Sequence, residues 1–336
     1  MAVLNGLNNI IVLALPLIIV ALAGVFAERS GIINIALEGI MVVGATTGFI
    51  VIYFLNKLDF PRQGLWQAQL CVLLAIVITA IVGCLYSWLL AFASIRLKAN
   101  QTIVGTALNI LPPAIGFCIC WSLIVVNGTP TTSINLATWA QITPQTLGIM
   151  GENWATALFI NHLFLTTPVI IILFVVMTFV LYKTRFGLRL RSCGENPQAA
   201  DSVGINVVKM RYIGTMLSGV LGAIGGLQYA FYSGSIFSPE AGVSGYGFLA
   251  LALMIFGNWK PIRILLVSVL FSAFIFFSTQ QTLLLEWFPF LKALEGFTYL
   301  FKMLPYILTL IVLVATSKRS RAPKAEGIPY DKSQRA

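Results

Sequence analysis

Polar side chains that could do chemistry are scarce in the long apolar runs of this 336-residue chain. Glu38 lies inside the second run, four residues after Asn34, so the two would share one face of a helix. A carboxylate at membrane depth is costly unless it is paired, protonated or beside water, which makes it a functional candidate. Asn109 and Gln228 are weaker cases of the same kind. We expect these four residues to be candidates for lining a solute path. A structural hydrogen bond to neighbouring backbone is the alternative for Glu38.

A second candidate is the basic loop 183–211, where local rules predict a short helix. Asn196 can cap the first free amides, and Pro197 suits the first helical position because it has no N–H to leave unpaired. Ala199 and Ala200 favour the next turn, and Gly204 can end it in a left-handed conformation. A helix of about two turns could dock in a groove of another protein. A solvated loop with a chance cap is the alternative.

Signatures of several enzyme classes are absent from the sequence. No Gly-x-x-x-x-Gly-Lys-Ser/Thr stretch is present to cradle phosphates, so this chain should not hydrolyse ATP through a P-loop. Neither a Gly-x-Ser-x-Gly nor a His-Glu-x-x-His motif occurs. His162 is the single histidine and is expected at a membrane boundary, and the five cysteines do not suggest a disulfide framework. We therefore expect no catalytic residue, no metal site and no cofactor.

Two groups of small residues predict how helices pack. Ser218, Gly222 and Gly226 recur every four residues and form a stripe that lets helix backbones approach closely in lipid. Gly242, Gly245 and Gly247 resemble part of a nucleotide-binding loop, but no strand–helix context surrounds them. We interpret the segment 242–247 as a broken or closely packed re-entry into the membrane.

The elements that must position these residues are nine apolar runs. The chain is 58% apolar and only 10% charged, with a mean hydropathy of +0.91, whereas soluble domains carry roughly 25% charged residues. The runs cover approximately 5–26, 32–55, 68–95, 101–126, 160–182, 212–232, 246–257, 264–285 and 301–316. We therefore expect an all-α polytopic membrane protein with about nine (eight to ten) transmembrane helices. The run 246–257 is short for a span, and Pro112-Pro113 must kink or break 101–126.

Lys and Arg residues predict the orientation of the chain. Seventeen of the 21 fall in alternate loops and the C-terminal end, whereas four (Lys57, Arg62, Lys292 and Lys302) form the opposite set. The positive-inside rule puts the larger set in the cytoplasm, with the N-terminus outside and the C-terminus inside. The loop 127–159 has no Lys or Arg and is expected outside. Because the net charge of +10 is confined to such loops, nucleic acid is not an expected partner.

The segment 29–41, Arg-Ser-Gly-Ile-Ile-Asn-Ile-Ala-Leu-Glu-Gly-Ile-Met, resembles the signature of bacterial ABC-transporter permeases of the ribose/branched-chain amino acid type. It is most similar to the nucleoside-uptake branch. Segments 184–187, 194–204, 245–248 and 256–261 agree in order and spacing, so the resemblance runs from about residue 24 to 275. The loop 127–159 and the basic tail carry no family motif.

The resemblance implies a permease subunit of an ATP-driven importer in the inner (cytoplasmic) membrane. Its implied partners are a cytoplasmic ATPase, a second permease chain, an external solute-binding lipoprotein and membrane lipid. Nucleosides are the implied substrates. Simple sugars or riboflavin are alternatives within the family, and an ion-coupled secondary transporter is the alternative from another class.

The resemblance also implies an organisation and a coupling mechanism for the chain. Residues 1–316 would form one permease domain. Independently of the resemblance, the polar, basic composition of 317–336 predicts a mobile cytoplasmic tail. The ATPase-coupling residues would be Glu195, Asn196, Pro197, Ala199, Ala200 and Gly204. On this view, ATP binding moves this helix, and Ala200→Glu should abolish uptake by altering its docking surface.

Overall fold

The computed structural model describes residues 2–126, 128–135, 138–144, 163–233, 236–280 and 321–331, and single positions between 303 and 314. These residues form ten α-helices: α1 (Ala2–Glu28), α2 (Leu37–Asn56), α3 (Leu65–Ala91), α4 (Gln101–Leu123), α5 (Thr166–Lys183), α6 (Arg185–Glu195), α7 (Pro197–Ser202), α8 (Val207–Ser233), α9 (Tyr246–Phe256) and α10 (Pro261–Thr279). Six two-residue strands pair antiparallel: β1 (Val125–Val126) with β2 (Thr129–Pro130), β3 (Ile134–Asn135) with β6 (Ile236–Phe237), and β4 (Gln141–Ile142) with β5 (Leu163–Phe164).

Eight helical segments in the described part of the chain are long and apolar enough to cross a membrane. They coincide with eight of the nine predicted spans, which confirms the all-α polytopic class. The ninth predicted span, 301–316, lies mostly outside the described residues, as do His162 and most of the loop 127–159. Helix α4 continues through Pro112-Pro113 without a break.

Helix α8 lies at the centre of the bundle and packs along α1, α2 and α3. Its small-residue stripe faces α2, as predicted, and the approach is too close for any side chain. A Cβ added at Gly226 would lie only 2.0 Å from the Met41 carbonyl oxygen, and one at Gly222 would lie 2.9 Å from Ile40. The stripe therefore serves helix packing, and it holds the first turns of α2 against α8.

The chain before α2 is not helical, although the apolar run predicted a helix from residue 32. Two side chains of α4 satisfy the open main chain instead. Gln101 Oε1 accepts from Ile33 N at 2.7 Å. Asn109 accepts from Gly39 N at 2.7 Å and donates to the Ile35 carbonyl at 2.9 Å. Irregular backbone is tolerated at membrane depth only when its polar groups are bonded in this way or lie beside water.

A second irregular segment precedes α9. Gly242, Ser244 and Gly245 all have positive φ angles (62°, 53° and 79°), so the chain turns sharply before the helix begins at Tyr246. The eleven residues of α9 extend for about 16 Å, roughly half of a bilayer's hydrocarbon core. The structure thus shows a break at 242–247, whereas re-entry into the membrane stays a prediction.

Candidate functional site

Glu38 lies where the two irregular segments meet. Its Oε1 accepts a hydrogen bond from Gly245 N at 2.8 Å, and its Oε2 accepts one from Gly247 N at 2.6 Å. Both donors belong to the N-terminus of α9, where free main-chain N–H groups and the helix dipole favour a negative group. The carboxylate therefore caps a helix that belongs to another part of the chain.

Aromatic and hydroxyl groups surround this carboxylate. The Tyr229 hydroxyl donates to Ser244 Oγ at 3.0 Å, and the rings of Tyr229 and Tyr246 lie 4.5 Å apart. Ser244 is exposed, whereas Glu38 and Tyr246 are only half-buried. We call Glu38, Tyr229, Ser244 and Tyr246 the polar centre. It combines a half-buried carboxylate and the half-buried Tyr246 ring with an exposed hydroxyl, whereas the Tyr229 ring is buried.

The other three predicted path residues are used for internal hydrogen bonds. Asn34 is fully buried and donates from Nδ2 to Ser218 Oγ at 2.8 Å. Gln228 is fully buried and accepts from the Thr166 hydroxyl, and Asn109 holds the open chain before α2. Asn34 precedes α2, so the expectation that it shares a helix face with Glu38 is wrong. The physical reason is that α4 side chains replace the helical hydrogen bonds there.

The predicted short helix in the basic loop is present as α7. Asn196 Oδ1 accepts from Ala199 N at 3.0 Å, and Pro197 occupies the first turn. Gly204 has a φ of +83°, which ends the helix in the left-handed region as predicted. An additional helix, α6, was not predicted. It begins at the Thr184 cap and turns the chain before α7.

Ala200 does not lie on the exposed side of α7, so its expected place on a docking surface is wrong, and Ala200→Glu would disturb the packing of the helix instead. Its side chain is 3% exposed and belongs to the core. Gln198, Ala199 and Ser202 are the exposed residues of this helix. The helix was too short for its sequence to distinguish the two alanines.

Residues at the ends of several helices meet beside α7. We call residues 29–31, 96–98, 184–206, 258–260 and 321–331 the basic end of the bundle. Arg29 forms an ion pair with Glu195 at 3.1 Å, which ties the end of α1 to the residue before the α7 cap. Trp259 Nε1 donates to the buried Glu28 carboxylate. Sequence patterns did not predict these contacts, because their partners are more than 160 residues apart.

The C-terminal residues 321–331 are docked against the basic end, so the expectation of a mobile tail is wrong for this part. Ala325 is buried, and Glu326 forms a hydrogen bond with Glu28, which requires a proton between the two carboxyl groups. Burial raises the pKa of Glu326 to about 7. The positive charge of the tail had suggested solvation, but main-chain hydrogen bonds, the Glu28–Glu326 pair and the Lys98–Asp331 ion pair hold these residues.

The described residues contain no cluster of three His, Cys, Asp or Glu side chains able to hold a metal ion. All five cysteines are free thiols. Their positions do not assemble an acid, base or nucleophile constellation. The polar centre and α7 therefore remain the two candidate sites, one for a solute and one for a protein.

A helical bundle with irregular segments beside its spans and a capped helix at one end is typical of transport subunits. The chain belongs to the branched-chain amino acid transport system / permease component family, whose model matches residues 6–313. It is a multi-pass protein of the cell membrane.

Several relatives cover almost the whole chain. It is 37% identical over 326 residues to the nucleoside ABC transporter permease protein NupC of Lactococcus lactis, covering 97% of this chain and 96% of NupC. It is also 37% identical over 327 residues to the guanosine ABC transporter permease protein NupQ of Bacillus subtilis, with 97% and 96% covered. The glucose ABC transporter permease protein TsgB13 of Haloferax volcanii is 23% identical over 271 residues, with 80% and 67% covered. No solved structure gives a significant match.

Proposed function

We propose that this chain is a translocation subunit of an ATP-driven nucleoside importer. The observation that carries the proposal is helix α7, which is capped by Asn196, anchored by buried Ala200 and exposed along Ala199. A partner that binds and displaces such a helix would also move the bundle to which the helix is anchored. The chain has no P-loop of its own, so a separate ATPase must supply the energy.

The orientation follows from charge. Seventeen of 21 Lys and Arg residues lie in the set that includes the basic end, so we assign that end to the cytoplasm and the N-terminus to the outside. Glu195, Asn196, Pro197, Ala199, Ala200 and Gly204 then form the coupling segment of the permease domain. A second permease chain and an external solute-binding lipoprotein complete the proposed importer.

The polar centre suits a nucleoside. Glu38 has lone pairs left after its two main-chain hydrogen bonds and can accept from sugar hydroxyls. The ring of Tyr246 is half-buried and can stack on a base, which every nucleobase permits. The relatives named for nucleosides and guanosine reach 37% identity to this chain, whereas the two named for glucose are 29% and 23% identical. We therefore place nucleosides ahead of sugars and riboflavin.

The first experiment purifies the tagged chain from its native membrane and measures ATP hydrolysis with the binding lipoprotein present. An ATPase and a second permease should be recovered, and hydrolysis should rise with nucleosides but not with ribose. Ala199→Glu should abolish recovery of the ATPase, because it puts a charge on the exposed side of α7. The matched control is Gln63→Glu, which adds the same charge at an exposed position between α2 and α3.

The outcomes separate the proposal from its rival. Full uptake by the Ala199→Glu variant would refute the coupling role of α7. Transport by the chain alone in proteoliposomes, driven by an ion gradient, would establish a secondary transporter. The two main-chain N–H groups that hold Glu38 argue against a proton-carrier role, because they are matched to a carboxylate acceptor.

A further inference from the structure

The C-terminal segment (residues 321–331) is attached by its main chain to two family motifs. Ala325 N donates to the Gly194 carbonyl at 2.9 Å, beside the coupling segment. Gly327 N donates to the Gly31 carbonyl at 3.3 Å, in the segment that follows α1. These bonds fix the path of the C-terminal segment across the basic end.

A buried arginine anchors the same segment. Arg211 is 1% exposed, and its Nη1 donates to the Ile328 carbonyl at 2.9 Å. Within the described residues it forms no ion pair, and its Nε and Nη2 have no hydrogen-bond partner. A buried guanidinium is costly when its donors are unpaired. The hydrogen bond to the Ile328 carbonyl lowers the free-energy cost of burying this guanidinium, which favours permanent docking over a mobile tail.

The C-terminal segment also reaches two neighbouring parts of the basic end. Asp331 forms an ion pair with Lys98 Nζ at 2.6 Å. Lys98 lies in the connection between α3 and α4. The hydroxyl of Tyr330 is hydrogen-bonded to Asp201 of α7. Helix α7, the α3–α4 connection and the C-terminal segment are thus joined side by side.

Each of these three parts exposes one large apolar side chain close to the contacts that join them. The exposed fractions are 64% for Leu97, 75% for Val203 and 57% for Ile328. Leu97 adjoins Lys98, Val203 follows Asp201 by two residues, and Ile328 precedes Tyr330 by two. Exposed bases lie among them: Arg96, Lys98, Lys209 and Lys324. Glu195, Asp201 and Asp331 lie on the same segments, but two of these acids are ion-paired. Exposed apolar side chains among residues of mainly one charge sign are typical of a protein-binding surface.

We infer that the ATPase subunit binds a composite surface made of α7, Leu97, Val203 and Ile328, and not α7 alone. This inference rests on the proposed function. The complementary partner surface would be an apolar groove with an acidic rim. The C-terminal segment then has a direct role in assembly, because it supplies one of the apolar contacts and holds the other two in register.

The test uses the full transporter with Leu97→Asp or Ile328→Asp, purified through a tag on this chain. Each variant should retain about tenfold less ATPase subunit than the unchanged chain, as expected when a desolvated apolar contact is replaced by a charge. The control is Leu58→Asp, which makes the same change at a residue that is 54% exposed between α2 and α3. It should retain the ATPase fully.

A second measurement distinguishes loss of ATPase binding from poor folding of the Asp variants. A photo-cross-linking amino acid at position 328 should capture the ATPase subunit in native membranes, and the same probe at position 58 should not. Full ATPase retention by Leu97→Asp and Ile328→Asp, with loss in Ala199→Glu, would overturn the composite surface and leave the proposed function standing. Retention in all three variants would refute the coupling role of α7 as well.

Discussion

The polar centre and the basic end solve the same problem with different chemistry. Both hold polar groups in an apolar protein and both join distant segments. The polar centre uses main-chain amides, hydroxyls and one carboxylate in short contacts. The basic end uses partly exposed ion pairs and a buried pair of carboxyl groups.

The difference follows from the solvent. Inside the membrane an unpaired polar group has no water to replace its partner, so every hydrogen bond must be built into the fold. At the basic end, water and salt weaken each exposed ion pair, so the loss of one pair costs little. We therefore expect substitutions to have severe effects in the polar centre and graded effects at the basic end.

The largest effect is expected for Glu38→Ala. The substitution leaves two N–H groups at the start of α9 without an acceptor, which should cost about 2–4 kcal/mol of folding free energy. Nucleoside uptake should be lost. Uptake in vesicles and thermal unfolding in detergent measure the two effects. Glu38→Gln is the matched control for side-chain volume. Its effect should be milder, since one acceptor oxygen remains. Normal uptake by Glu38→Ala would contradict the role of the polar centre.

A smaller, pH-dependent effect is expected at Glu326. Burial raises its pKa to about 7, above the ordinary value of a glutamate, and the groups around it are Glu28, Arg29 and Trp259. Because docking raises the pKa, docking is strongest below the ordinary value and weakens as the pH rises through about 7. Hydrogen exchange at Ala325 N, corrected for intrinsic rates, should therefore speed up at high pH.

The variant Glu326→Gln separates this effect from general loosening of the basic end. It keeps the size of the side chain and cannot ionise, so exchange at Ala325 should become independent of pH between 6 and 8. A pH dependence equal to that of the unchanged chain would assign the effect to another group.

The smallest effect is expected for the ion pair between Lys98 and Asp331. Both side chains are partly exposed (50% and 32%), and such pairs contribute about 0.2–1 kcal/mol. Lys98→Ala should lower ATPase retention by at most about fivefold, and less at high salt. The exchanged pair Lys98→Asp with Asp331→Lys should recover the loss. A loss as large as that of Leu97→Asp would show that the pair contributes more than its exposure allows.

Local patterns in the sequence predicted much of this molecule. Apolar runs located eight spans, and the stripe on α8 and the cap at Asn196 were both confirmed. Each of these depends on neighbours within a few residues. Spacing alone predicted a helix around Asn34 and an exposed Ala200, and both were wrong because α4 side chains and the core decide those positions.

Such local patterns could not predict contacts between residues that are far apart in the sequence. The contact of Arg211 with Ile328 spans 117 residues, and that of Glu28 with Trp259 spans 231. One signal was present, since Glu28 ends a long apolar run and needs a partner. Its partner was identifiable only in the folded chain.

The bond between Gly31 and Gly327 brings nearly opposite ends of the chain together. During synthesis, the first helices reach the membrane long before residues 321–331 leave the ribosome. Arg211 therefore waits for its acceptor until 117 further residues have been added. A chain that stops at position 320 would keep its apolar runs but leave the Arg211 guanidinium without that acceptor. Docking of residues 321–331 is thus a late step in folding.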